Sequence, residues 1–66
     1  MYTVTINGAN QQTEHDNVKN LLDKLELTQG RYAVEINGDL IPKSELSATR
    51  VTQNMVIEVV QAVGGG

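Results

Sequence analysis

The chain has no cysteine, no tryptophan, no phenylalanine and a single proline. Without cysteine there is no disulfide, no thiolate metal site and no thiol nucleophile, an absence that fits a reducing, cytoplasmic setting. Two tyrosines, Tyr2 and Tyr32, are the only aromatics, too few for a base-stacking surface. Basic residues are also scarce: five against eight acidic ones, a net charge of −3. That balance argues against nucleic acid and anionic membranes as partners and favours a protein with a basic docking face. No apolar run is long enough for a signal peptide or a membrane span. At 66 residues the chain makes one domain with a small core.

The chain is rich in glycine at one place only. Three of its six glycines are the last three residues, Gly64-Gly65-Gly66, directly after the apolar Val59-Val60-Gln61-Ala62-Val63. At background frequency such a triplet at a chosen place arises roughly once in several thousand sequences. Glycine without a Cβ makes a thin tail, costly to order. Such a tail can carry a terminal carboxylate through a narrow channel into another protein's active site. A frayed end or a linker scar has the same composition, so the tail alone leaves the choice open.

Tyr2, Val4 and Ile6 alternate with Thr3 and Thr5, the period of a half-buried strand. Asn7-Gly8 predicts a hairpin, because type I′ turns need positive φ at both central residues. Ala9 to Thr13 then returns as a polar edge strand. Asn17 is placed as the N-cap of a helix of two to three turns. Val18, Leu21, Leu22 and Leu25 form its apolar stripe, with Leu27 tucked under the exit and Gly30 breaking the pattern. A helix this short is stable only against a sheet. Tyr32, Val34 and Ile36 mark a third strand, Asn37-Gly38 a second hairpin, and Asp39-Leu40-Ile41 a short return ended by Pro42. One tight helical turn is expected at Ser44-Glu45-Leu46, a polar connection over 47–52, a turn at Gln53-Asn54, and a last strand from Met55 to Val63. Its near-continuous apolar character suits the middle of the sheet, beside and parallel to the first strand. Alternation puts Ile57, Val59 and Gln61 on the helix side, and Val56, Glu58, Val60 and Ala62 on the other.

The resulting order is strand, strand, helix, strand, strand, short turn, strand. It predicts an α+β, β-grasp (ubiquitin-like) fold, a mixed sheet with one helix packed across one face. The domain is expected over 1–63, with 64–66 as a flexible glycine tail.

Three stretches carry a family resemblance: Asn17-Val18-Lys19-Asn20-Leu21-Leu22, residues 33–45 (Ala33-Val34-Glu35-Ile36-Asn37-Gly38-Asp39-Leu40-Ile41-Pro42-Lys43-Ser44-Glu45), and Ile57 through Gly66. With them the whole chain resembles the ThiS family of ubiquitin-like sulfur carriers of thiamin biosynthesis. Gln53-Asn54 stands where that family often has Gly-Asp, and Ala62 where an aromatic is common. The resemblance implies that the Gly66 carboxylate is the working group. An adenylyltransferase resembling a ubiquitin-activating enzyme (ThiF type) would adenylate it with ATP. Sulfur from a donor system would then convert it to a thiocarboxylate, and a thiazole synthase (ThiG type) would take the sulfur into a thiazole. Gly65 and Gly64 would thread the tail, and Val60, Ala62 and Val63 would form the docking patch. The carrier itself would bind no cofactor and no metal, be a monomer when free, and be no enzyme.

His15 lies between Glu14 and Asp16, three adjacent residues that do not share a helical face, so a metal site is not expected. The carboxylates are dispersed, without a pair for acid–base catalysis. Gly64 to Gly66 lacks the Lys-Ser/Thr and following helix of a phosphate loop. A molybdopterin-synthase-type sulfur carrier, a protein modifier forming isopeptide bonds, and a plain binding module remain as alternative readings.

Overall fold

A computed structural model describes residues 1–62 of the chain. The strands are β1 (Tyr2–Ile6), β2 (Ala9–Thr13), β3 (Tyr32–Ile36), β4 (Asp39–Ile41) and β5 (Met55–Gln61). One α-helix, α1 (Val18–Lys24), and a 3₁₀ segment (Lys43–Ala48) complete the described elements. The sheet order is β2-β1-β5-β3-β4. β5 lies in the centre, parallel to β1 and antiparallel to β3. This is the expected mixed sheet of the β-grasp. No helix among the described residues is long and apolar enough to cross a membrane.

Helix α1 begins where the cap predicts: the Asn17 side chain accepts from the Asn20 backbone N–H at 2.8 Å. A second free N–H, that of Val18, donates to the Thr49 carbonyl at 2.9 Å. The helix closes at Leu25, within the expected two to three turns. Glu26 takes a left-handed φ of 59°, and the Glu26 and Leu27 N–H groups donate back to the Asp23 and Leu22 carbonyls. That is a Schellman ending with a glutamate where glycine is usual, and Leu27 packs against the core as its apolar closure.

Val18, Leu21 and Leu22 of α1 cover Val4, Ile6, Val34, Ile36, Met55, Ile57 and Val59 on the sheet, and Leu46 and Val51 close the end of this core. Tyr2, Leu25, Leu27, Tyr32 and Ile41 pack around it.

Three expectations are corrected. The 3₁₀ segment runs over six residues instead of one turn at Ser44–Leu46. The connection over 47–52 is not simply polar, because Val51 is buried and its N–H donates to the Asp16 carbonyl at 2.8 Å. The last strand ends at Gln61 rather than running on through Ala62, since β3, its partner, begins at Tyr32 opposite Gln61. Val63 and the tail glycines lie outside the described residues.

Candidate functional site

The site predicted from sequence lies at the C-terminal end of β5. Gly64, Gly65, Gly66 and Val63 fall outside the described residues, so the structure speaks to the root from which they leave. That root is fixed on the helix side and bare on the other. Gln61 pairs with Tyr32, and its side-chain amide donates to the Leu27 carbonyl just past α1 at 3.2 Å. This is the helix-side placement that alternation predicts for Gln61. The Ala62 N–H donates to the Arg31 carbonyl at 3.0 Å, adding one bond beyond the strand. Lys43 sits 4.2 Å from the centroid of the Tyr32 ring, a cation–π contact that ties the 3₁₀ segment to the start of β3 beside this root.

Upstream, β5 is clipped from both sides by the two hairpin asparagines. Asn7 and Asn37 have φ of 50° and 51°, and the glycines after them 85° and 90°, as type I′ turns require. Each asparagine donates its backbone N–H to β5, Asn7 to the Ile57 carbonyl and Asn37 to the Val56 carbonyl. The left-handed turn swings each asparagine's own carbonyl out of the ladder, and its side-chain carbonyl takes that place. Asn7 Oδ1 accepts from the Val59 N–H at 2.8 Å, and Asn37 Oδ1 accepts from the Val56 N–H at 3.0 Å. Read from sequence, these asparagines were turn formers only. The signal for their second role was that Asn, not Gly or Asp, precedes glycine in both hairpins.

Among the predicted docking residues, Val60 is 64% exposed on the face away from α1, and Ala62 is exposed beside it. The structure thus brings these two together on one open surface. His15 is half-buried, its N–H donating to the Thr13 hydroxyl. It lines a depression of about 390 Å³ with Met1, Gln11, Leu21, Lys24 and Leu25, among others, and none of the lining residues belongs to β5. No group of three His, Asp or Glu among the described residues could hold a metal ion.

On the helix surface Lys19 pairs with Asp23 at 2.8 Å. The hydrogen bond from Lys19, joined by one from the Thr28 hydroxyl, lowers the Asp23 carboxyl below its ordinary value. The same contact raises the Lys19 ammonium.

Comparison with known proteins agrees with this architecture. The model of the ThiS family matches residues 4–66. The crystal structure of a thiamine biosynthesis protein (ThiS) from Geobacter metallireducens superposes with a TM-score of 0.79 at 29% identity, over 97% of this chain and 99% of that one. The solution structure of a thiamine biosynthesis protein from the same organism gives 0.74 at 29% identity, over 97% and 87%. No curated protein sequence matches the chain.

Proposed function

Because the chain belongs to the ThiS family, we propose that it is a sulfur carrier of thiamin biosynthesis and that the carboxylate of Gly66 carries the sulfur. The observation that supports this most directly is that the family match runs through the glycine tail to residue 66. The described geometry is compatible with it: β5 is held by β1 and Asn7 as far as Val59, and by β3 and Arg31 as far as Ala62.

The chemistry follows from what a carboxylate lacks. It is a poor electrophile until one oxygen becomes part of a leaving group. An adenylating enzyme lets a carboxylate oxygen attack the α-phosphorus of ATP, and pyrophosphate departs. A sulfur nucleophile delivered at the sulfide oxidation level then adds to the acyl carbon. AMP leaves with the oxygen, a proton is released, and a thiocarboxylate remains. A thiazole synthase takes up that sulfur. The chain has no thiol, so sulfur it carries covalently in this way sits on the main chain. Glycine at 65 and 66 puts no bulk beside the reacting carbonyl.

The test is the intact mass after incubation with ATP, a ThiF-type adenylating enzyme and a sulfide-level donor. A sulfur-for-oxygen gain at the terminal residue is expected. Gly65→Val, or removal of Gly66, abolishes the gain and leaves the thermal midpoint unchanged. Normal conversion of either variant refutes the proposal.

A further inference from the structure

Glycine follows asparagine at two places in the chain, Asn7-Gly8 and Asn37-Gly38. The pairing has a chemical consequence besides the turn. A backbone nitrogen can attack the side-chain carbonyl carbon of the asparagine before it. A glycine nitrogen does so most readily, because no Cβ crowds the approach. Asn10, Asn17, Asn20 and Asn54 are followed by Gln11, Val18, Leu21 and Met55, whose side chains hinder the same attack. Attack also requires the asparagine side chain to rotate onto the nitrogen of the next residue. In the fold, β5 holds the side chains of Asn7 and Asn37 instead.

The two holds are unequal. Asn7 is gripped at two residues of β5, Ile57 and Val59, and its side-chain bond is part-buried. Its hairpin pairs over five residue couples, and β1 is paired to β5 on its other edge. Asn37 is held at one residue, Val56, and its side-chain bond is exposed. Its hairpin pairs over three couples, and β4 is an outer strand whose Asp39 and Leu40 are exposed. Fraying of a short outer strand costs less than opening of a strand that belongs to the core. Release of Asn37 from β5 therefore comes before release of Asn7.

We propose that Asn37-Gly38 is a site of spontaneous deamidation in the folded protein, with water as the co-reactant, and that the fold protects Asn7-Gly8 from the same reaction. The Gly38 nitrogen gives up its proton and bonds to Asn37 Cγ. The side-chain nitrogen takes up a proton and leaves as ammonia, and a five-membered succinimide remains. Water opens this ring at Cγ to give aspartate, or at the main-chain carbonyl to give isoaspartate, in which the chain runs through Cβ and Cγ. Aspartate keeps an oxygen acceptor for the Val56 N–H and adds one negative charge. Isoaspartate adds an atom to the main chain of a two-residue turn, and the clip on Val56 is lost. The proposal is independent of the sulfur-carrier reading.

The test is to age the full chain at mildly alkaline pH, folded and in urea, and to map both samples by tryptic digestion and mass spectrometry. Cleavage after Lys19, Arg31 and Lys43 places Asn7 and Asn37 in separate peptides, 1–19 and 32–43. In the folded chain Asn37 is expected to exchange its side-chain NH₂ for OH about five- to tenfold faster than Asn7, the rates following the populations of the opened turns. In urea the two rates converge. Equal rates at the two sites in the folded chain, or a faster Asn7, overturn the proposal. So does conversion of Asn10, Asn17, Asn20 or Asn54 as fast as that of Asn37. Conversion of Asn37 in urea but not in the folded chain overturns it too, since the fold would then protect both hairpins.

Discussion

The two halves of β5 are built on opposite principles. From Met55 to Val59, every second residue is buried under α1, and the strand is clipped on one side by Asn7 and on the other by Asn37. Val60, Gln61 and Ala62 are exposed, and what holds them is the Tyr32 pairing, the Gln61 amide on Leu27 and the Arg31–Ala62 bond. One strand thus serves as the spine of the core and as a mount for whatever follows residue 62. The difference teaches that one strand can be core at one end and, at the other, be anchored by backbone and amide bonds alone while its outer side chains stay bare.

The sharpest way to break this contrast is to truncate each half. Ile57→Ala, which empties a fully buried site, costs about 2–5 kcal/mol, enough to unfold much of a domain this small under ordinary conditions. Val60→Asp, three residues on, shifts the thermal midpoint by only a few degrees but weakens the complex with the adenylating enzyme. Thermal melts paired with titration calorimetry read both. A Val60→Asp protein as unstable as Ile57→Ala would erase the distinction.

A smaller effect separates the two clips. The Asn7 bond to Val59 is part-buried, whereas the Asn37 bond to Val56 is exposed. Asn7→Ala loses an acceptor and the short polar side chain that makes a left-handed φ tolerable for asparagine, at about 1–3 kcal/mol. Asn37→Ala shares the backbone cost but leaves its orphaned N–H to water, so it should cost less. Urea melts of the two variants decide this, and a reversed order would mean that the side-chain acceptors do not matter.

The smallest effect is that of Lys19–Asp23, an exposed pair far from either clip. Asp23 has a lowered pKa, so its contribution is present above the ordinary carboxylate value of 3.8 and is lost as pH falls through the folded value. Lys19 has a raised pKa, so its contribution is present below 10.5 and is lost as pH rises through the folded value. Lys19→Met therefore lowers the thermal midpoint slightly near neutrality. The difference from the parent closes at both extremes of pH and shrinks in high salt. A difference that persists in strong acid would point to lost packing of the lysine stem instead.

Much of the fold was legible residue by residue. The Asn17 cap, the Val18-Leu21-Leu22-Leu25 stripe and the alternation in β1, β3 and β5 each depend on neighbours a few positions away. Val51 escaped because a single apolar residue between polar ones has no period. The Schellman ending of α1 escaped because a glutamate at 26 takes the left-handed φ where glycine is usual. The candidate site was legible as composition, in its glycines, while its mooring was not. Nothing in the order of residues announces that Gln61 reaches Leu27 or that Lys43 lies over Tyr32.

Local chemistry alone thus settled the strand and helix types, the two I′ turns and the side of β5 that turns inward. These follow from backbone sterics, caps and the two-residue and 3.6-residue periods, which act within one element. Only the assembled sheet decided that Glu35 meets Glu58 amid exposed leucine and valine, that two asparagines lend their side chains to a strand some twenty and fifty positions away, and that Thr49 and Asp16 close the start of α1 over Val51. Those contacts join segments distant in the chain. Their register is fixed by packing against the shared core, and no short window of residues contains it.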